Sequence, residues 1–212
     1  TEIPRADTVI PNVGRAIGRQ LDYLAGLGHR RIACFKSYPS EAWQDHEAWQ
    51  AYEDGCGKLG LQLPAEYRAP IRFAYGEHAA AIAEFLDRVL ACGAPPTAIL
   101  TYDYYAADLG RKLQQRGLNV PRDISLIGYD DFPWTGACPV PLTTFRQNFE
   151  SMGQTGVRFL LERLPVGCEA AQHRRFPVRL VHRDAALCLD PGNLVRHIQA
   201  LAKQIRNLCV DQ

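Results

Sequence analysis

The sequence of 212 residues has one Met, no C-x-x-C pair and almost no net charge, with 24 basic residues against 23 acidic ones for a total of +1. Each shortfall excludes something. Without a surplus of positive charge the chain has no field of its own to hold a polyanion, so nucleic-acid binding by these residues alone is not indicated. The nearest thing to a basic patch, "QHRRFPVRLVHR" at 172–183, reads as a solvated edge around a short strand. No apolar run approaches the roughly 20 residues that cross a bilayer, and no signal-peptide pattern opens the chain, so no membrane partner is expected. The seven cysteines (34, 56, 92, 138, 168, 188, 209) are odd in number and most sit in apolar runs such as "RIACF" and "RVLACG". That pattern fits buried, reduced thiols in a cytoplasmic protein better than a disulfide framework.

Several chemical signatures are missing too. There is no P-loop and no G-x-S-x-G elbow, and the six histidines have no metal-ligand spacing among themselves or with cysteines. "GCGKLG" at 55–60 matches G-x-G-x-x-G letter by letter, but it lies at the end of a helical stretch and its last glycine suits a helix C-cap. His29 in "LGHRR", between a helix and a strand, reads as a capping or packing residue. No cofactor, no metal and no catalytic residue are expected.

What is present is an alternation of two periods. Val13, Ile17, Leu21, Leu24 and Leu27 recur at helical spacing and end at Gly28, which suits a C-cap. A strand-like "RIACF" (31–35), a helix over about 43–59, a proline-punctuated loop and a strand "IRFA" (71–74) follow. Next come a helix through Ile82 and Leu90, the strand "TAILT" (97–101), a helix over about 104–117 and the strand "ISLIG" (124–128). Short continuous apolar strands alternating with helices predict a parallel sheet covered on both faces, with ligands beyond the carboxyl ends of its strands. That rule gathers Ser37 and Tyr38, Tyr75, Tyr102 and Asp103, and Asp130 and Asp131 around one crevice. A loop layer that plugs the same ends is the plain alternative. Farther on, a helix is expected over about 147–164 and one more strand at "FPVRLVHR" (176–183).

The run "SLIGYDDFPW" drives an apolar strand into two adjacent carboxylates. Neighbouring residues of an extended chain point to opposite sides, so the pair does not serve one substrate as acid and base. One aspartate should face the crevice and the other cap or anchor the loop. A metal would need further ligands, of which only Asp103 is a natural third. At the other end, "DPGNLVRHIQALAKQIRNLCVDQ" opens with Asp190 as N-cap and Pro191 at the first helical position. Leu194, Ile198, Leu201, Ile205 and Leu208 then step by 4, 3, 4 and 3, a heptad seam that predicts self-association, with a helix lying flat on its own domain as the plain alternative.

"VPRDISLIGYDD…PVPLTTFRQNFESMGQTGVRFLLERL", preceded by "PTAILTYDYYAADLGRKLQQRGLNV", closely resembles the effector-binding core of lactose-repressor (LacI/GalR) family transcription regulators, and "LGHRRIACF" matches the family's motif at its domain crossover. The resemblance runs from about residue 8 to residue 184. It implies a periplasmic-binding-protein-like (type I) α/β fold, a doubly wound parallel sheet, with one subdomain complete and the other partial. On that template 1–12 is a remnant of the N-terminal subdomain, 13–145 the C-terminal subdomain, 146–176 a returning N-terminal segment, 177–184 a return strand and 185–189 a linker. Residues 190–212 resemble a tetramerisation helix found in the family. The DNA-binding headpiece and much of one cleft wall would lie upstream of Thr1.

Carried over by resemblance, Asp130 accepts hydrogen bonds from sugar hydroxyls, Phe149 is an aromatic at the cleft and Tyr75 falls near a ring that stacks on the sugar. Tyr102 and Trp134 complete the expected effector site. The segment 132–141 falls near a dimer interface. Two departures stand out: Tyr102 precedes Asp103 where the family has Asn before Asp, and "AWQA" (48–51) replaces an Arg-x-x-Gly segment. Losing a bidentate donor weakens sugar binding by about 1–3 kcal/mol. The expected partners are a small sugar-like effector, operator DNA through the headpiece, and copies of the chain in a homodimer or homotetramer. The rival readings are a solute-binding protein of a transport system and, on the aspartate pair alone, an enzyme using Asp130.

Overall fold

The structure, a computed structural model, describes residues 6–36, 43–68, 77–133, 135, 140–164 and 170–186. Its centre is a parallel sheet in the order β2-β3-β4, formed by Ile32–Phe35, Ala98–Thr101 and Ser125–Ile127. All three strands are buried throughout, as expected of a sheet covered on both faces. The period of two divides their side chains cleanly. Ile32, Cys34, Ala98, Leu100 and Ile127 pack under α1 (Val13–Gly26) and α2 (Trp43–Leu59). Ala33, Phe35, Ile99 and Leu126 pack under α4 (His78–Ala91) and α5 (Asp103–Gln115). Gly28 at φ +96° and Gly60 at φ +61° follow the ends of α1 and α2, where a left-handed residue closes a helix at no steric cost. His29 is fully buried and its Nδ1 lies 2.9 Å from the Thr97 hydroxyl, the packing role its position suggests.

Two strands differ from the sequence expectation. The stretch 176–183 does not make one strand: β6 (His173–Phe176) ends before Pro177, and β7 (Arg179–Val181) begins after it. Proline has no N–H to continue a ladder, so the chain changes sheets there. β6 pairs in parallel with β1 (Thr8–Pro11), whereas β7 pairs antiparallel with β5 (Thr144–Arg146). The proline-punctuated loop also contains a short helix, α3 (Ala65–Arg68), which starts where the Pro64 carbonyl accepts from Tyr67 N–H. The strand expected at 71–74 and the heptad seam at 190–212 fall outside the described residues, together with Leu194, Ile198, Leu201, Ile205 and Leu208.

The small β1-β6 pair, with α6 (Phe149–Arg163) packed on β1, forms a second group of elements. The chain passes between it and the central sheet at Asn12, at Gln147 and at Pro177. β5 sits beside the continuation of β4, through bridges from Ile127 to Thr143 and from Asp130 to Arg146. The crossing strands therefore run directly past the carboxyl end of the central sheet.

Candidate functional site

The registers of β2, β3 and β4 bring Lys36, Tyr102 and Tyr129 together just beyond the strand ends, with Asp103 N–H donating to the Tyr129 carbonyl at 3.2 Å. Lys36 is 4% exposed. Its ammonium lies 4.1 Å from the Tyr102 ring centroid and 4.9 Å from that of Tyr129. The two rings meet edge to face at 6.0 Å. A desolvated ammonium over aromatic faces gains about 2 kcal/mol, which helps hold a cation out of water.

Asp130 and Asp131 follow at φ +121° and +58°, so neither continues the strand. Non-glycine residues rarely adopt this region, and the turn is held from several sides. Asp130 N–H donates to the Phe145 carbonyl at 2.9 Å. Asp131 N–H and Phe132 N–H donate to Asp103 Oδ2 at 2.6 and 3.3 Å, while the Thr144 hydroxyl donates to Asp103 Oδ1 at 2.7 Å. Gly128 lies against this carboxylate. A Cβ there would meet Asp103 Oδ1 at 1.9 Å and Leu142 Cδ2 at 2.6 Å, so glycine is needed for the close approach. Asp103, the natural third metal ligand on sequence grounds, is instead the fastening of the Asp130 turn. Among the described residues no group of three or more His, Cys, Asp or Glu is placed to hold a metal ion.

The two aspartates have opposite surroundings. The Asp131 side chain is 3% exposed and takes Arg146 Nε at 2.5 Å and Arg183 Nη2 at 2.8 Å. Burial pushes its carboxyl up, but hydrogen bonds from Arg183 and Arg146 outweigh burial and hold it below the ordinary value. Asp130 receives the Gln147 amide on Oδ1. There burial dominates: the carboxyl rises to about 7 against the lowering hydrogen bond from Gln147, with the Asp103 charge adding to the rise and Lys36 opposing it. Burial also raises Asp103, opposed by Thr144 and by the two backbone donors. Asp131 is thus committed to the crossing strands, through Arg146 at the end of β5 and Arg183 just after β7. Asp130 keeps a carboxyl oxygen, Oδ2, to which no hydrogen bond is made among the described residues.

Of the residues expected at an effector site, Asp130 and Tyr102 come together around Lys36. Phe149 stands at the first turn of α6, two residues past Gln147, capped by Asn148, whose side chain accepts from Ser151 N–H. It is 48% exposed and stacks on Phe132 at 5.9 Å, with the rings 10° from parallel. Tyr75 and Trp134 lie outside the described residues. Three residues of the cluster were missed by sequence reasoning: Lys36, Tyr129 and Gln147. Lys36 directly follows the apolar run "RIACF", so the strand-end rule that selected Ser37 and Tyr38 reaches it equally.

The result is a doubly wound sheet whose strand ends carry an aromatic-lined polar cluster, crossed by strands that lead to a second group of elements. A family model described as "Periplasmic binding protein-like domain" matches residues 21–185, more than half of the chain. The chain belongs to this family, and its relatives are LacI-family regulators. The HTH-type transcriptional repressor CytR of Escherichia coli (strain K12) is 30% identical over 145 residues, 68% of this chain and 41% of CytR. A LacI transcriptional regulator from Bacillus cereus subsp. cytotoxis superimposes with TM-score 0.77 at 20% identity, over 90% of this chain and 67% of that one. A lac repressor dimer bound to operator and the anti-inducer ONPF does so with TM-score 0.69 at 27% identity, over 84% and 60%. The chain spans less than half the length of CytR and of the PurR and ribose operon repressors that it also matches.

Proposed function

We propose that this chain is the effector-binding and self-associating part of a DNA-binding transcriptional repressor, in which a small hydroxylated molecule binds at Asp130. The observation that carries the reading is the division of labour between the adjacent aspartates. Asp131 is consumed by two arginines, while Asp130 offers a carboxyl oxygen beside Tyr102 and Lys36 at the strand ends of a fold whose relatives are named as repressors. Vicinal hydroxyls are donors, and a fixed buried carboxyl accepts them at good geometry.

The mechanism is linkage. A ligand that favours one arrangement of the two groups of elements shifts the protein between them by its difference in affinity, and operator binding shifts in return. Gln147 sits where β5 leads into α6 and also donates to Asp130, so a ligand there touches a crossing segment directly. Operator contact belongs to a headpiece on the full-length chain, working from the cytoplasm on the nucleoid. Pairing through the region around 132–141 gives a dimer, and the seam from Leu194 to Leu208 joins dimers into a tetramer, which raises the effective concentration for a second operator.

The test uses the full-length protein and fragments of its source genome. Specific fragments should be retained over bulk competitor DNA and their binding altered by a small molecule, and Asp130→Ala should remove that response. Failure to retain any fragment removes the regulator reading. In sedimentation, Leu201→Glu should halve the assembly mass, and an unchanged mass removes the tetramer.

A further inference from the structure

Arg175 Nη1 donates to Glu47 Oε1 at 2.6 Å, an ion pair that spans 128 residues of chain and joins α2, packed on the central sheet, to β6 in the second group of elements. Each half is fixed by its own group. α2 buries Ala48, Tyr52 and Cys56 in the core it shares with α1, and the Tyr52 hydroxyl donates to the Ile32 carbonyl at 2.7 Å. β6 is paired along its whole length with β1. Neither element needs the ion pair in order to form. Among the described residues it is the one hydrogen bond between α2 and the second group.

The carboxylate has a reason of its own to stand where it does. A Cβ on Gly14 would lie 3.4 Å from Glu47 Oε1, so the charge rests against the first turn of α1, which has no acidic residue. A helix N-terminus favours a negative charge there. The same charge reaches the strand-end cluster: ionising the Tyr129 phenol is opposed first by burial, then by Asp130 and Glu47. Arg175 stands two residues before the crossing at Pro177, and Gly14 two residues after the crossing at Asn12. A rotation about the crossings therefore draws the guanidinium away while the carboxylate stays on α1. Parting them strands neither charge, because the side chains of Arg175 and Glu47 are already 34% and 27% exposed. We propose that Glu47 and Arg175 form a latch that favours this arrangement of the two groups of elements and opens when they rotate apart, setting the balance on which the ligand acts. This rests on the reading that a ligand shifts the protein between such arrangements. A half-wet pair biases that balance by about two- to fivefold, enough to set it and too little to lock it.

Distances between two spin labels decide it, carried on unnatural amino acids at the exposed positions Glu84 on α4 and Gln154 on α6, so that the cysteines stay untouched. The full-length protein is used, its labelled chains diluted with unlabelled ones. Wild type should show two distances, one of them that of this arrangement. Glu47→Gln and Arg175→Gln should each lower the share of this arrangement about two- to fivefold against the other, and the double variant should go no further, because the two act as one contact. Arg175→Lys should keep part of the bias. Added salt should move wild type the same way and Glu47→Gln much less, which tests the latch on the native sequence too. Asp87→Asn breaks a pair with Arg116 at 2.5 Å inside the central group, and should leave the distances alone. A single distance in wild type, unmoved distances in either variant, or an equal shift in Asp87→Asn each overturn the latch. Distances that move while DNA-fragment affinity does not would leave the latch standing and remove its link to DNA binding.

Discussion

Asp130 and Asp131 share one turn, one sheet end and one kind of side chain, yet they are opposites. Asp131 is enclosed by two guanidinium groups that bind the end of β5 and the segment after β7. Asp130, one residue earlier, has a single amide on its side chain among the described residues and is pushed by burial from the ordinary 3.8 to about 7. The first is a satisfied structural joint. The second is partly buried, its carboxyl raised by that burial and one oxygen left to accept, the surroundings that the proposed ligand role requires. Sequence adjacency therefore says little about shared role; the backbone turn decides, by sending one carboxylate toward the crossing strands and the other toward the strand-end cluster.

The comparison can be broken at its hinge. Gly128→Ala places a methyl group where Asp103 Oδ1 stands, and Asp103 fastens the turn through Asp131 N–H, Phe132 N–H and the Thr144 hydroxyl. Overpacking plus the displaced hydrogen bonds should cost about 3 kcal/mol or more, seen as a lower denaturation midpoint at unchanged slope. Asp131→Ala comes next. It removes a buried carboxylate from two arginines, and because Arg146 is about half exposed and can turn to water, the loss should be about 2–3 kcal/mol. Asp130→Ala, measured alongside, should cost clearly less. If the two alanine variants are equally unstable, the division of roles is wrong.

A pH series sharpens the contrast through its sign. Asp130 is raised in the folded state, so the unfolded chain ionises near 4 while the folded chain holds its proton to about 7. Wild type should therefore lose stability relative to Asp130→Asn as pH rises across that window. Asp131 is lowered, so its contribution is present above the ordinary carboxylate value and disappears as pH falls through the folded one. Relative to Asp131→Asn, wild type should then lose its advantage in acid. The smallest effect on stability belongs to Tyr129→Phe. Removing a hydroxyl that makes no hydrogen bond among the described residues should be neutral or stabilise by up to about 1 kcal/mol, read as an equal or higher Tm, whereas a clear loss would mean the hydroxyl has a structural partner.

Much of this was legible in the residues. The 3.6-residue spacing from Val13 to Leu27 became α1, and the continuous apolar runs became β2, β3 and β4, because both patterns follow directly from which faces must be buried. The strand-end rule located Asp130 and Tyr102, and neighbour geometry separated Asp130 from Asp131, although the turn does this with positive φ and not with strand alternation. Three things were hidden. The break at Pro177 needed the pairing partners of β6 and β7, which lie far apart in sequence. Lys36 was not singled out, since lysine is seldom buried, and the edge-to-face Tyr102 and Tyr129 rings beneath its ammonium help to hold it there. Gln147 falls at the start of the helix expected over about 147–164, and its contact with Asp130 shows only once the turn is seen to reach it.

On the proposed function, Asp130 receives the ligand that controls DNA binding. The direct measurement is operator-fragment binding by the full-length protein, at a concentration that saturates the fragment, titrated with the small molecule that shifts it in wild type. The account predicts that Asp130→Asn removes this shift while Asp131→Asn, if folded, retains it. A shift that persists in Asp130→Asn would contradict it.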